Sequence, residues 1–412
     1  IDRHQETVYK YSEKLAEAGI NVNNLTEEQK NLQKQYEDFK TAREHLQKVG
    51  AEYDELTQKA REQATEVGKL MGIYAAAGAA FYKGAIEPAI EFESAYTGVL
   101  KTVDGTPEQL RRIKEDILDL STNVPTTAAD IAAVAEAAGQ LGIAVEDITN
   151  FSSVMIDLGE STNLSSDEAA SSLAKFANIT RMDADYYSNL GSVIVDLGNN
   201  FATTEADIVS MATRLASTGE ITGLSEAQIM AVSTALSSVG IEAEAGGSSI
   251  SKLLKEFEVM YQNGSEDLKD YADVAGVSLK EFREIYGEDS LKAVSMFISG
   301  LNDVERNGRN AVQILSDLDI TEIRMSNAVL SLAASDGILA KAVDIANTAW
   351  EENTALAEEA GKRYQTTESQ IQMAKNSINN AGIALGEVFT PYVAEAARGI
   401  NEFARNTADW VR

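Results

Sequence analysis

The sequence predicts an all-α fold, and three observations on this 412-residue chain predict it. Apolar residues recur at helical spacing along most of the chain. Ser or Thr repeatedly stands three residues before Asp, Glu or Gln, the signature of a capped helix start. Alternating apolar and polar runs long enough for a sheet are lacking. The chain has room for two or three domains and for a sizeable core. Only four prolines, Pro88, Pro107, Pro125 and Pro391, interrupt it. Aromatics are 7% of the residues, so Ala, Ser, Leu and Ile fill the interior and the helices are expected to pack closely.

Residues 25–84 read as one long helix. Leu25, Leu32, Phe39, Leu46, Tyr53, Ala60, Val67 and Tyr74 recur every seven residues, with Ala42, Val49, Leu56, Leu70 and Ala77 three residues later. Glu28, Gln35 and Gln63 break the second row. A coiled coil with Leu46, Tyr53 and Leu56 in its seam gives this pattern, and so does a long helix folded back on its own domain. At about 1.5 Å per residue the helix would span about 90 Å. It ends in an apolar run, Leu70 to Tyr82, which is shorter than the roughly 20 residues a spanning helix needs. A long helix or coiled coil is therefore expected over 1–84.

Beyond Pro88, helices of ten to eighteen residues alternate with turns marked by Gly, Asn and Ser. Thr106, Thr127, Ser165, Thr204, Ser225 and Ser278 are the expected N-caps, with Gln109, Asp130, Glu168, Asp207, Gln228 and Glu281 three residues on. A helical core over 85–262 contains a repeat. Thr126 to Leu141 reappears at Thr203 to Thr218, and Gly142 to Gly159 at Gly223 to Gly240 after a four-residue insertion; ten of 34 aligned positions are identical. Two copies of one Ala-rich hairpin, 126–159 and 203–240, suggest internal duplication and a protein that presents surfaces rather than one pocket. Ile131, Val134, Ile208, Met211, Ile229 and Val232 should pack the hairpins. Gly142, Gly223 and Gly240 should set their turns, where a left-handed backbone suits a residue without Cβ. A second helical subdomain is expected over 263–365, with single helices at 268–286, 290–301, 311–318, 322–334 and 338–363. A C-terminal helix over 366–412 is expected to be interrupted around Gly382, Gly386 and Pro391.

The residue inventory argues against chemistry. There is no cysteine, hence no disulfide, thiolate metal site or cysteine nucleophile. The two histidines, His4 and His45, have no partners at metal-ligand spacing. Ser249 and Lys252 form an S-x-x-K, but the S-D-N and K-T-G that accompany it in penicillin-recognising enzymes are missing. Gly246-Gly247-Ser248-Ser249 reads as a flexible helix-entry turn rather than a phosphate loop. Asp183 and Asp185 begin a D-x-D, but no Gly or closing Glu completes a calcium loop. No catalytic residue, cofactor or metal is assigned. The net charge of −30, from 35 basic and 65 acidic residues, repels phosphate backbones and argues against sequence-specific nucleic-acid binding.

With these residues laid out, the chain resembles the core domain of phage tail tape measure proteins. Val124 to Ile143, Leu164 to Thr180 and Phe201 to Ser251 carry the resemblance, with a turn at Leu385 to Pro391 similar to the family's junction near the end of the core. It implies a structural, non-enzymatic virion component in the tail tube lumen, made in the host cytoplasm, that templates tail length and is released during DNA ejection. It further implies tail tube protein, tail-tip or baseplate proteins and tail assembly chaperones as partners, homo-oligomers, and contact with the host membrane or envelope for the full-length protein. Ile1 in place of Met and a helical C-terminus suggest a piece of a longer chain. The alternative is a helical membrane-active or pore-forming protein, in which Leu70 to Tyr82 and the Ala/Gly helices enter a bilayer.

Overall fold

The computed structural model describes residues 82–306 and 310–387; the expected seam of Leu46, Tyr53 and Leu56, and both histidines, lie outside them. Among the described residues every regular element is a helix. Two compact units form, one of residues 90–380, the other comprising 82–89 and 381–387 among the described residues.

A π-helical turn, Tyr82–Ile86, leads into α1, Glu87–Thr102. Helix α2, Pro107–Asn123, opens with Pro in its first turn and a reciprocal capping box between Thr106 and Gln109. It buries Ile113, Ile117 and Ser121 at a spacing of four, one stripe of the helix. Val124 is already extended, as the residue before Pro125 should be.

The duplicated hairpins follow. The first is α3, Ala128–Gln140, with α4, Ile148–Ser161; the second is α7, Glu205–Thr222, with α8, Glu226–Ser238. Thr127 and Thr204 cap α3 and α7 in the same way, each hydroxyl accepting the N–H three residues on and donating to the Asp carboxylate there. The leading threonine of each repeat closes its hairpin: Thr126 donates to Glu160 at 3.1 Å, and Thr203 pairs with Ser237 at 2.6 Å. The four-residue insertion is one more turn of α7. Both first helices then end alike, with Gly142 at φ 82° and Gly223 at φ 72°, and the next N–H returning five residues to Ala138 O and Gly219 O. The second helices begin differently. Ser225 and Gln228 form a capping box that starts α8 at Glu226, whereas Ala144 and Asp147 occupy the equivalent places in the first copy. Ala144 has no oxygen to offer, and α4 starts three residues later, at Ile148.

Two helices lie between the copies. Helix α5, Ser166–Thr180, packs on α3, α4 and α7; α6, Tyr187–Asn200, packs on α4, α7 and α8. The remaining helices complete the enclosure of α8. These are α9, Ala243–Gln262; α14, Ile323–Ala333; and α15, Ile338–Glu352. Residues 229–236 of α8 are buried without a break, because α6, α7, α9, α14 and α15 surround them. A helix buried all round needs no polar face, and Ile229-Met230-Ala231-Val232-Ser233-Thr234-Ala235-Leu236 has none. Its two hydroxyls return to the helix itself, Ser233 to Ile229 O at 2.7 Å and Thr234 to Met230 O at 2.9 Å.

Gly246 and Gly247 do not form a flexible entry turn. They lie inside α9, where a Cβ on Gly246 would stand 2.8 Å from Met211 Cε and one on Gly247 3.0 Å from Arg214 Cβ. Small residues there let α9 lie close against α7. Further along α9, Phe257 centres an aromatic cluster with Tyr271, Phe282, Tyr286 and Phe297 at ring distances of 4.8 to 6.3 Å. Those rings come from α10, Leu268–Ala275; α11, Leu279–Glu288; and α12, Ser290–Arg306. The single helix expected over 268–286 is thus two. Gly276 ends α10 at φ 76°, and Ser278 caps α11. A short α13, Ala311–Asp317, precedes α14.

The helix expected over 338–363 is also broken. Asn353, at φ 48°, separates α15 from α16, Ala355–Tyr364. The corner is tied to α6: Asn353 Oδ1 accepts from Ser188 and Ser192 at 3.0 and 3.1 Å, and Asn189 donates to Trp350 O at 2.8 Å. Helices α15 and α16 therefore pack mainly on α8, α6 and α4, with only a small contact between α15 and α12 of the 263–337 helices beside which the sequence grouped them. The last described helix, α17, runs unbroken over 367–387. Gly382 and Gly386 do not interrupt it. Spaced one turn apart, they admit a neighbouring backbone: a Cβ at Gly382 would meet Gly84 O at 2.0 Å, and one at Gly386 would meet Ala85 O and the Ala89 Cβ, both at 2.3 Å. Two small residues four apart on one helix meet two on the other.

Candidate functional site

Among the described residues, the groups singled out as hints of chemistry have structural surroundings of their own. Ser249 is buried in α9 while Lys252 is exposed and pairs with Glu256 at 3.8 Å. Asp183 caps a 3-10 turn, Ala184–Tyr186, through the Asp185 N–H. Two open depressions flank the second half of α9. In one, Arg283 donates to Gly264 O and Ser265 O at 2.6 and 2.8 Å, and Lys280 pairs with Glu284 at 3.6 Å. In the other, Lys252 and Lys255 stand with Glu256 and Asp319. Arg283, Lys280 and Lys252 each face a local acceptor. Among the described residues no group of three or more His, Cys, Asp or Glu is placed to hold a metal. Among them, too, no helix is long and apolar enough to cross a membrane.

The hairpin residues picked out by sequence lie inside the molecule, though the two hairpins' residues do not form one cluster: α3 packs on α2, α4 and α5, and α7 and α8 on each other. Ile131, Val134, Ile208, Met211, Ile229 and Val232 are all buried. They build the interior and are withdrawn from contact with another molecule. Gly142, Gly223 and Gly240 have φ of 82°, 72° and 78°, and a Cβ at any of them would meet nothing within 4 Å. Their conformation, not crowding, favours glycine there.

The surface that departs from the ordinary is on α17. Its polar side faces inward. Asn376, 1% exposed, donates to Ser121 O, Val124 O and Thr126 O at 3.0, 3.2 and 2.9 Å, and Asn380 donates to Leu118 O at 2.7 Å and Ser121 Oγ at 2.8 Å. The last carbonyls of a helix have no intrahelical donor. Two asparagines some 250 residues away along the chain supply donors for the end of α2. The apolar side faces outward: Ile371 is 52% exposed, Ile378 is 62% exposed, and Ala374 between them is exposed. Ala381 and Leu385, both half-buried, continue the same 3-4 spacing. Sequence reading missed this surface because it took the glycines of 366–412 as breaks and so did not treat the segment as one helix with two faces.

Carboxylates are shielded where α16 covers α4. Asp157 accepts a short hydrogen bond from the Tyr364 hydroxyl, and burial raises its pKa above the ordinary aspartate value despite that bond. Tyr364 is pushed upward, first by burial and then by the adjacent Asp157. On α6, Asp196 is likewise raised by burial and by nearby Glu352. What these groups show is packing and raised proton affinity in a helical interior.

Comparison with known proteins agrees with this picture of an assembly component. Residues 114–327, just over half of the chain, match the family described as phage-related minor tail protein. Over 171 residues the chain is 29% identical to a protein named probable tape measure protein from Halomonas phage phiHAP-1. That match covers 38% of this chain and 20% of the phage protein, so the chain spans about a fifth of the length of this curated relative. No solved structure matches. The matched residues run from α2 through both hairpins to α14, the packed centre of the structure, and the chain belongs to the phage-related minor tail protein family.

Proposed function

We propose that this chain is the folded core of a tape measure protein, a structural rather than catalytic component of a phage tail. In this reading the longer protein lies in the lumen of the tail tube, templates its length during assembly and leaves during DNA ejection. Its partners are the tube protein, tail-tip or baseplate proteins and assembly chaperones. The observation that carries the reading is the coincidence of the family match at 114–327 with the packed, duplicated core. The printed name of the phiHAP-1 relative supports the same assignment. A ruler must be long, because a helix advances only about 1.5 Å per residue. The compact core described here supplies little such length, so the measuring portion belongs to extended helix elsewhere in the longer protein.

The test is made in the phage that encodes the chain. Four heptads, about 28 residues, are deleted in frame from an extended helical region of the full-length protein, leaving 82–387 intact. Electron microscopy of the particles should show tails shorter by about 42 Å, following the helical rise. Normal tail length in particles that carry the shortened protein would sink the ruler reading.

A further inference from the structure

We propose that the outward faces of α5, α7 and α9 form one docking surface for an acidic segment of a partner protein, which lies across Lys175, Arg214 and Lys252. Nothing in this surface requires the tail reading. It follows from a repeat shorter than the duplicated hairpins. Helices α3, α5, α7 and α9 begin at 128, 166, 205 and 243, in steps of 38, 39 and 38. Helices α2, α4, α6 and α8 end at 123, 161, 200 and 238, in the same steps. Asp119, Asp157 and Asp196, each followed by Leu, stand eight residues before the caps Thr127, Ser165 and Thr204. The two hairpins are thus the first and third units of an array, and α5 with α6 is the second. Helix α3 packs on α5, α5 on α7 and α7 on α9, so these four form one layer. Stacked helical units of this kind present an extended face built from equivalent positions.

Charge selects the occupant. The tenth residue is Lys175 in α5, Arg214 in α7 and Lys252 in α9, and all three are exposed. The sixth, one turn back on the same face, is Ser171, Ser210 and Ser248. In α3 both places hold Ala, so the row has three members. Arg214 lies along α9, its Cβ 3.0 Å from where a Cβ on Gly247 would stand. Among the described residues Lys175 and Arg214 have no ion pair, and Lys252 meets Glu256 at 3.8 Å, a solvated contact worth little. Three cations in register on a chain of net charge −30 favour a negative occupant. Glu168, Asp207 and Glu244 are exposed seven or eight residues back, about 10 Å away along the helices. The caps Ser165 and Thr204 hold the first two in place. A nucleic-acid strand carries a phosphate about every 3.4 Å of axis, whereas neighbouring helices lie about 8–10 Å apart. Most of its phosphates would go unpaired and lie near these carboxylates. A polypeptide can place one carboxylate per unit, since seven residues of helix advance about 10 Å.

The experiment uses the whole chain, with labelled poly-L-glutamate long enough to cross three units as the probe. Fluorescence anisotropy at low ionic strength compares three proteins: the wild type, a Lys175→Gln/Arg214→Gln/Lys252→Gln variant, and a Lys280→Gln/Lys292→Gln/Lys362→Gln control that loses the same charge elsewhere. All six positions are exposed, and circular dichroism checks that the variants fold like the wild type. The wild type and the control should bind alike, and the row variant about tenfold more weakly, because three solvated pairs are lost. No binding by the wild type, or equal weakening in both variants, overturns the proposal. Tighter binding of an oligothymidylate of similar length, lost in the row variant, would give the row to nucleic acid and overturn it too. A second readout needs no variant. Carbodiimide activates a glutamate carboxyl of the bound probe, and a lysine Nζ attacks it, forming an amide as the urea leaves. On the wild type this coupling should mark Lys175 and Lys252 ahead of Lys280 and Lys362. Equal marking of all four would reject the row, even if the row variant failed to fold.

Discussion

Asp157 concentrates, in one residue, the conflict between burial and charge in this core. Tyr364 donates to it, but shielding by α16 raises its pKa, and nearby Glu160 adds to the rise. A carboxylate whose native pKa exceeds its unfolded value holds its proton better when folded. The charged form is therefore a cost to stability above the native pKa, and that cost disappears as pH falls below the unfolded value of about 4. Asp157→Asn keeps an acceptor for Tyr364 and removes the charge. Its unfolding free energy at pH 7 should equal or exceed that of the wild type, with the gap closing as pH is lowered through the window between the two pKa values. Urea denaturation at several pH values measures this. A loss of more than about 1 kcal/mol at pH 7 would mean that the charged hydrogen bond outweighs burial. Nothing in the sequence set Asp157 apart from the other acidic residues, since its partner lies 207 residues away.

Among the elements, the glycines of the helices divide by what surrounds them. Gly300 in α12 is pressed against α10: a Cβ there would stand 2.0 Å from Val274 O, a backbone atom that cannot swing aside. Gly361 in α16 has nothing within 4 Å. The same substitution should therefore have opposite signs. Gly361→Ala gains helix propensity and should stabilise the protein by about 0.5–1 kcal/mol. Gly300→Ala gains the same propensity but overpacks the crossing, and should destabilise by about 1–3 kcal/mol. Thermal melts of the two variants decide this, and a stabilised Gly300→Ala would refute the account of the α10–α12 contact. Sequence alone treated Gly382 and Gly386 as helix breaks for the same reason that it would treat Gly300 and Gly361 alike. Propensity is a local quantity, and closeness of a second backbone is not. Caps, by contrast, were legible. Thr106, Thr127, Ser165, Thr204, Ser225 and Ser278 each accept the N–H expected of them, because donor and acceptor are three residues apart.

At the largest scale, that of the 90–380 unit, α8 is the axis and its sheath is assembled from distant parts of the chain. Helix α15 covers α8 and α6 although more than 100 residues separate α15 from the start of α8. A chain ended at residue 337 keeps both hairpins but leaves that side of α8 bare, exposing apolar surface worth about 25 cal/mol per Å2. Such a chain should bind a hydrophobic dye and lose its sharp thermal transition, whereas the 412-residue protein should melt cooperatively. A sharp melt without dye binding from the shortened chain would show that α15 is dispensable to the core.

The sequence by itself determined the helical class, the cap positions, the duplicated hairpins and the resemblance that leads to the tail protein family. These follow from spacings of three to seven residues or from direct repetition, and both can be read along one dimension. Tertiary structure alone decided that Asn376 and Asn380 serve the end of α2, that α15 and α16 return to α8, α6 and α4, and that Ile371 and Ile378 face outward. An amphipathic pattern separates a helix into two faces, but only the neighbours determine which face is buried. In α17 the exposed carbonyls of α2 offered the asparagines bonds that water would otherwise supply, and the polar face turned in.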